Sequence, residues 1–213
     1  MKLHIAPGAP SVRKVRAVIL HLNLDVQVHS YDFFKGELRA PEYLALNPNG
    51  SVPTLVDGDF VLWESNAIMQ YLADKAGDAL LFPRDLRMRA DVVRWQCWEL
   101  THFNKAFSML AFETVAKPRN NLGAPDINRV EVAKADLARY APVLDAHVAH
   151  REYLVGRNIT LADYSMLEFE GYRTLVPFDL SGYRNLNAYY DNVSKADAWQ
   201  RSAPASSGKA RAA

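Results

Sequence analysis

The sequence predicts two units in series, an α/β domain followed by an all-helical one. Three observations carry the prediction. Strand and helix signals alternate as βαβ, loop, ββα over residues 1–77. The stretch "GDALLFPRDL" then interrupts them with glycine and proline. From Leu86 onward only helical spacing of apolar residues recurs. The boundaries read as 1–77 for the α/β domain, 78–86 for a linker, 87–201 for the helical domain and 202–213 for a small, polar, disordered tail.

Each element has its own warrant. "KLHIA" is a short apolar strand. Pro10-Ser11 opens a helix with Val12, Val15, Ile19 and Leu22 at spacings of three and four. Val26 to Tyr31 alternates like a half-buried strand, and βαβ order predicts a parallel pair with a right-handed crossover. "TLV" and "FVLW" flank Asp57-Gly58-Asp59, a hairpin signal. Ser65 starts a helix with Ile68, Tyr71 and Leu72 on one face, and Gly77 stops it. In the second half, Ala90, Val93, Cys97, Leu100 and Asn104 mark one face of a long helix, with Cys97 as a small buried hydrophobe. "NNLGAPD" breaks it. Further helices are expected over Ile127 to Val148, with Pro142 inside it as a kink point, Thr160 to Leu175, and Leu186 to Trp199.

Composition excludes several classes of function. A chain of 213 residues with 49% hydrophobic content buries a sizeable core. A formal net charge of +1 gives no electrostatic case for nucleic acid or an anionic membrane. Arg84, Arg87, Arg89 and Arg94 alternate with Asp85 and Asp91 and read as a solvated face. No apolar run has the length of a membrane span, and the N-terminus lacks the continuous apolar segment of a signal peptide. One cysteine, Cys97, excludes an intramolecular disulfide framework, and a reducing cytoplasm fits. His147 and His150 lack a third ligand, so no metal is expected.

The loop "LNPNGSVPTL" places Pro53 just ahead of a strand. A cis Val52-Pro53 bond would turn the Val52 N–H and C=O outward, an open edge on which a peptide-like ligand can pair as an extra strand. A trans proline opening the strand is the alternative. Ser65 at a helix start binds a carboxylate through N–H groups and the dipole, and Glu64 beside it can hold an ammonium group. A plain N-cap and a solvated first-turn acid are the alternatives there. Together these features describe a site for a small peptide with a free amino-acid head.

At this point the chain resembles the soluble, bacterial-type glutathione transferases. "NPNGSVPTL" is similar to their loop and cis-proline strand, "ESNAIMQYL" to their Glu-Ser helix start, and "GRNITLADY", Gly156 to Tyr164, to a mark of their helical half. The last has a physical reading as well. Thr160 and Asp163 have capping-box spacing, and Ile159 and Tyr164 that of a hydrophobic staple. Both of the former are structural, and loss of Asp163 costs about 1 kcal/mol if it is an ordinary cap.

The resemblance implies a thioredoxin-like domain followed by a helical bundle, a homodimer, and glutathione as co-substrate. It implies the γ-glutamyl head at Glu64 and Ser65, the cysteinyl backbone at Val52 ahead of Pro53, and the glycyl carboxylate at Arg39, with Lys35 second. Arginine's fork matches two carboxylate oxygens. A thiol of pKa about 8.5 is mostly protonated at neutral pH, and a helix N-terminus lowers that value. The family's usual serine position is occupied by Ala9, which cannot donate, so thiolate stabilisation falls to Ser11 and to N–H groups at the helix start. Ser11 as an N-cap is the alternative. No cysteine lies in this loop, which argues against redox chemistry by a protein thiol. The electrophile is expected between the domains, with Trp98, His102 and Phe103 on one helix face as candidates, or as core aromatics. The implied function is conjugation of glutathione to small hydrophobic electrophiles. Glutathione-dependent reduction of peroxides or disulfides, and a non-catalytic glutathione-binding or interaction module, are the alternatives.

Overall fold

A computed structural model describes residues 1–203. Two compact units emerge: Met1–Asp78 with the segment from Ala196, and Ala79–Lys195. The first is built on a four-stranded sheet of order β2-β1-β3-β4, with β1 Lys2–Ile5, β2 Gln27–Ser30, β3 Thr54–Asp57 and β4 Phe60–Trp63. β1 pairs with β2 in parallel and with β3 antiparallel, and β3 and β4 close the hairpin. The fold is thus thioredoxin-like, as expected. β2 is fully exposed rather than half-buried, because it is an edge strand with β1 as its one neighbour in the sheet.

Helix α1 (Pro10–His21) buries Val12, Val15 and Val18. Helix α2 (Pro41–Leu44) buries Tyr43. Helix α3 (Ser65–Ala76) buries Ile68, Met69 and Leu72 and ends at Gly77, whose φ of 73° needs the left-handed freedom of glycine. With Leu3, Ile5 and Leu55 these side chains form the core of the first unit.

In the second unit, α4 (Leu86–Trp98) and α5 (Asn104–Ala111) are joined by a π turn, Glu99–Phe103. Another π turn, Phe112–Ala116, leads into the short α6 (Lys117–Arg119). α7 (Ile127–Val148) runs unbroken through Pro142 and buries Ala133, Leu137, Ala141 and Leu144. α8 (Leu161–Met166) and α9 (Arg184–Val193) complete the unit.

Four sequence expectations change here. On α4 the buried face is Val92, Trp95 and Gln96, continuing to Glu99 and Phe103, while Ala90, Cys97 and Leu100 are exposed. Polar Gln96 and Glu99 on the inner face hide it from a hydrophobic pattern. Cys97 is therefore an exposed thiol, not a core residue. The helix from Thr160 tightens into a 3₁₀ turn, Leu167–Tyr172. The last helix splits: α9 ends at Val193, and α10 (Asp197–Arg201) joins the first unit. The Arg13 guanidinium lies 3.8 Å from the Trp199 ring centre and donates to the Trp199 carbonyl at 3.4 Å. Ser202 is buried, its hydroxyl on that same carbonyl at 2.7 Å. From residue 204 the expected disordered tail lies outside the described residues.

The capping box at α8 is closed and goes beyond a local cap. The fully buried Asp163 carboxyl accepts from the Thr160 N–H (2.7 Å), the Thr160 hydroxyl (2.9 Å), the Leu154 N–H (2.8 Å) and the Tyr189 hydroxyl (2.9 Å). Burial pushes its pKa up to about 6 against these donors.

Candidate functional site

Short side chains with long reach hold the loop between α2 and β3. Asn47, 1% exposed, donates from Nδ2 to the Ser51 carbonyl (2.8 Å) and the Thr54 hydroxyl (3.1 Å), and its Oδ1 accepts from the Asn49 N–H (3.0 Å). The Tyr43 hydroxyl donates to the Ser51 carbonyl at 2.5 Å and lies 3.0 Å from the Thr54 hydroxyl. Gly50 closes the turn at φ +58°, where a Cβ would stand 2.5 Å from Arg39 Nη1 and 3.0 Å from the Leu38 carbonyl. Tyr43, Asn47, Gly50 and Thr54 were missed as site residues by sequence reasoning. Asn47, two residues ahead of an amide it accepts from, carries an Asx-turn signal.

The Val52-Pro53 bond that this network frames is cis. Among the described residues nothing pairs with the Val52 N–H. Among the described residues the Val52 carbonyl accepts one bond, from the Ser11 hydroxyl at 3.3 Å, which leaves a second lone pair. This bond joins the start of α1 to the loop. Ser11 is the second residue of α1, behind Ala9 as uncapped N-cap and Pro10 as first residue, so it is not the N-cap. Its hydroxyl is engaged, whereas its backbone N–H has no acceptor among the described residues.

On the far side of β4, Glu64 sits at φ 75°, ψ 114°, a conformation L-residues rarely adopt. Such strain costs on the order of 1–3 kcal/mol and persists where neighbouring elements over-determine it. Here β4 ends and α3 begins on either side of one residue. The Glu64 side chain does not cap α3, and Ser65 at its start is 6% exposed, while Glu64 is exposed. The dipole and the N–H groups of an uncapped start suit a carboxylate.

The cation candidates differ in fixation. Arg39, on the 3₁₀ turn Glu37–Arg39, donates from Nη1 to the Asn49 carbonyl at 3.3 Å, which leaves other guanidinium donors for a ligand. Lys35 is 73% exposed at its side chain and lies 3.7 Å from Asp32. Trp98 and His102 stack at 5.9 Å beside Tyr140 of α7. Phe103 is fully buried against Phe107 and belongs to the core. Trp98 also lines a shallow concavity of about 400 Å³ with Arg94, Trp95, Val143, Ala146 and His147. His147 is half-buried, 2.9 Å from the Leu154 carbonyl and 4.4 Å from the Trp95 ring, and burial holds its pKa below the ordinary value. Among the described residues no cluster of three metal-ligating side chains exists, and no helix is long and apolar enough to cross a membrane.

Residues 1–74 match the family model "Glutathione S-transferase, N-terminal domain", and residues 103–197 match "Glutathione S-transferase, C-terminal domain". The chain is 39% identical over 166 residues to glutathione S-transferase 3 of Zea mays, covering 76% of this chain and 73% of that protein. In structure it is similar to glutathione transferase F7 from Populus trichocarpa, with a TM-score of 0.86, 27% identity and 94% and 96% of the two chains covered. It is also similar to the theta class glutathione S-transferase of Xanthomonas axonopodis pv. citri with glutathione bound, with a TM-score of 0.84, 30% identity and 94% and 95% covered.

Proposed function

The chain belongs to the glutathione S-transferase family, and on that premise we propose how its residues conjugate glutathione to small hydrophobic electrophiles. Val52 pairs through its N–H and C=O with the cysteinyl backbone of the tripeptide, as an added strand would. Ser65 and the start of α3 take the γ-glutamyl carboxylate, and Glu64 takes the ammonium group. Arg39 takes the glycyl carboxylate. Lys35, 73% exposed at its side chain and 3.7 Å from Asp32, contributes at most long-range charge.

The thiol is activated at the start of α1. With the Ser11 hydroxyl engaged on Val52, the donor left for the sulfur is the Ser11 N–H, reinforced by the positive end of the helix. The hydroxyl keeps acceptor capacity and can turn its proton to the sulfur only by releasing the Val52 carbonyl. Nucleophilicity falls as thiolate basicity falls, so most of the acceleration comes from holding the two reactants together. Trp98 and His102 remain the aromatic candidates for the electrophile.

One observation carries the reading: the Ser11 hydroxyl, the cis-proline loop and the unpaired Val52 N–H converge within one hydrogen bond. Steady-state kinetics with an aryl halide test it. Ser11→Ala, which frees the carbonyl and keeps the N–H, is expected to lower kcat/KM by about tenfold or less. A loss on the order of a thousandfold would assign the thiolate to the hydroxyl instead. A homodimer in a reducing cytoplasm completes the proposal. Exposed Leu100, Val132 and Val143 on the helical unit and a single cysteine support it. Sedimentation at the mass of one chain would overturn the dimer.

A further inference from the structure

His4 lies on the face of the sheet opposite Leu3 and Leu55. In strand register it stands beside His29 of β2 and Thr54 of β3, and alternation puts the three side chains on one face. The imidazole is buried, with Nδ1 2.9 Å from the Tyr31 hydroxyl. Its ring centre is 5.5 Å from that of His29, 5.7 Å from Tyr31 and 6.3 Å from Tyr43. Tyr31 and Tyr43 meet edge to face at 4.7 Å, and the Tyr43 hydroxyl holds the Ser51 carbonyl. A continuous line of contacts therefore runs from His4 to the residue preceding Val52.

We propose that His4 is a positioning residue whose protonation loosens the loop presenting Val52, so that glutathione affinity falls in acid. The proposal rests on the glutathione reading above. As its Nε2–H tautomer the neutral imidazole accepts the hydrogen bond of the Tyr31 hydroxyl at Nδ1, whereas an imidazolium has a donor there, and the Tyr31 proton must turn elsewhere. The groups facing the ring offer a positive charge little help. His29 and Tyr31 flank it from the β2 side, Tyr43 from α2, Lys2 lies on its own strand, Thr54 on β3 is uncharged, and Glu37 acts on Tyr31. Burial first, then His29 and Lys2, hold the His4 pKa below its ordinary value. The ring takes up charge by leaving this face, which removes the edge support of Tyr31 and Tyr43 and weakens one of the two donors on the Ser51 carbonyl, leaving Asn47 alone to hold it.

The test is the affinity for S-hexylglutathione, which has no thiol to titrate, measured calorimetrically across the mildly acidic range. The expected wild-type affinity falls below a midpoint with a slope approaching about tenfold per pH unit. His4→Asn, whose amide oxygen replaces Nδ1 as acceptor, is expected to flatten the profile. His29→Asn is expected to keep the fall and move it to higher pH, because a repelling neighbour is gone. The His4 Cε1–H resonance of the wild type, followed by proton NMR, should share the affinity midpoint, which holds the test open if His4→Asn does not fold. A flat wild-type profile, a fall retained in His4→Asn, or a separate NMR midpoint overturns the proposal alone. No binding at any pH overturns the glutathione reading and the proposal with it.

Discussion

Asp163→Ala removes the acceptor for four donors at once. The Thr160 and Tyr189 hydroxyls can rotate toward other acceptors, but the N–H groups of Leu154 and Thr160 cannot. Each buried donor left without a partner costs about 1–3 kcal/mol, so the loss near neutral pH is about 3 kcal/mol, above the value for an isolated cap. For a chain of this length that lowers Tm by roughly 10 °C. The pH dependence sharpens the prediction. With a pKa of about 6 in the fold and 3.8 as reference, the folded state binds more protons than the unfolded one between those values. Asp163 therefore contributes stability that is full below the unfolded value and is lost as pH rises through about 6. By linkage the wild type gains about 1.3 kcal/mol on going from about pH 7 to about pH 5, and the variant does not. The gap between them, read from urea unfolding monitored by circular dichroism, should widen on acidification. A gap that does not widen would mean that the four donors offset or outweigh burial and that the carboxyl has an ordinary or depressed pKa.

Asn47→Ala is expected to raise KM for glutathione about fivefold or more with kcat nearly unchanged, because the Ser51 carbonyl and Asn49 N–H lose their anchor; kinetics at saturating electrophile check this. Gly50→Ala forces a Cβ against Arg39 at a positive φ, so it should cost about 1 kcal/mol or more in thermal unfolding and weaken glutathione retention together. His147, with its pKa held down by burial, contributes stability above its unfolded value that is lost as pH falls through the folded one. His147→Gln should lack this acid loss in urea titrations compared between neutral and mildly acidic pH.

What the sequence made legible was local. Pro53 after Asn49-Gly50, the Glu64-Ser65 helix start and the Thr160 to Asp163 spacing each act through a few neighbouring residues, and each lies where the pattern put it. What it hid depends on distant partners. Asn47 and Tyr43 matter through Ser51 and Thr54, and only the folded loop brings those groups together. The inner face of α4 was obscured by buried Gln96, whose amide meets the Ser165 hydroxyl at 3.1 Å across 69 positions. Ser11 reads as a free hydroxyl in sequence and becomes a donor to Val52 only in the fold. No periodicity announces the break between α9 and α10, where the chain leaves the helical unit and lays Trp199 over Arg13.

The central claim is that one main-chain amide and carbonyl, at Val52, dock the tripeptide. A crystal structure with S-hexylglutathione measures this directly. Both Val52 groups should lie within about 3 Å of the ligand's cysteinyl backbone, with the ligand sulfur beside the Ser11 N–H. A ligand bound elsewhere, or a Val52 N–H satisfied by the protein itself, would contradict it.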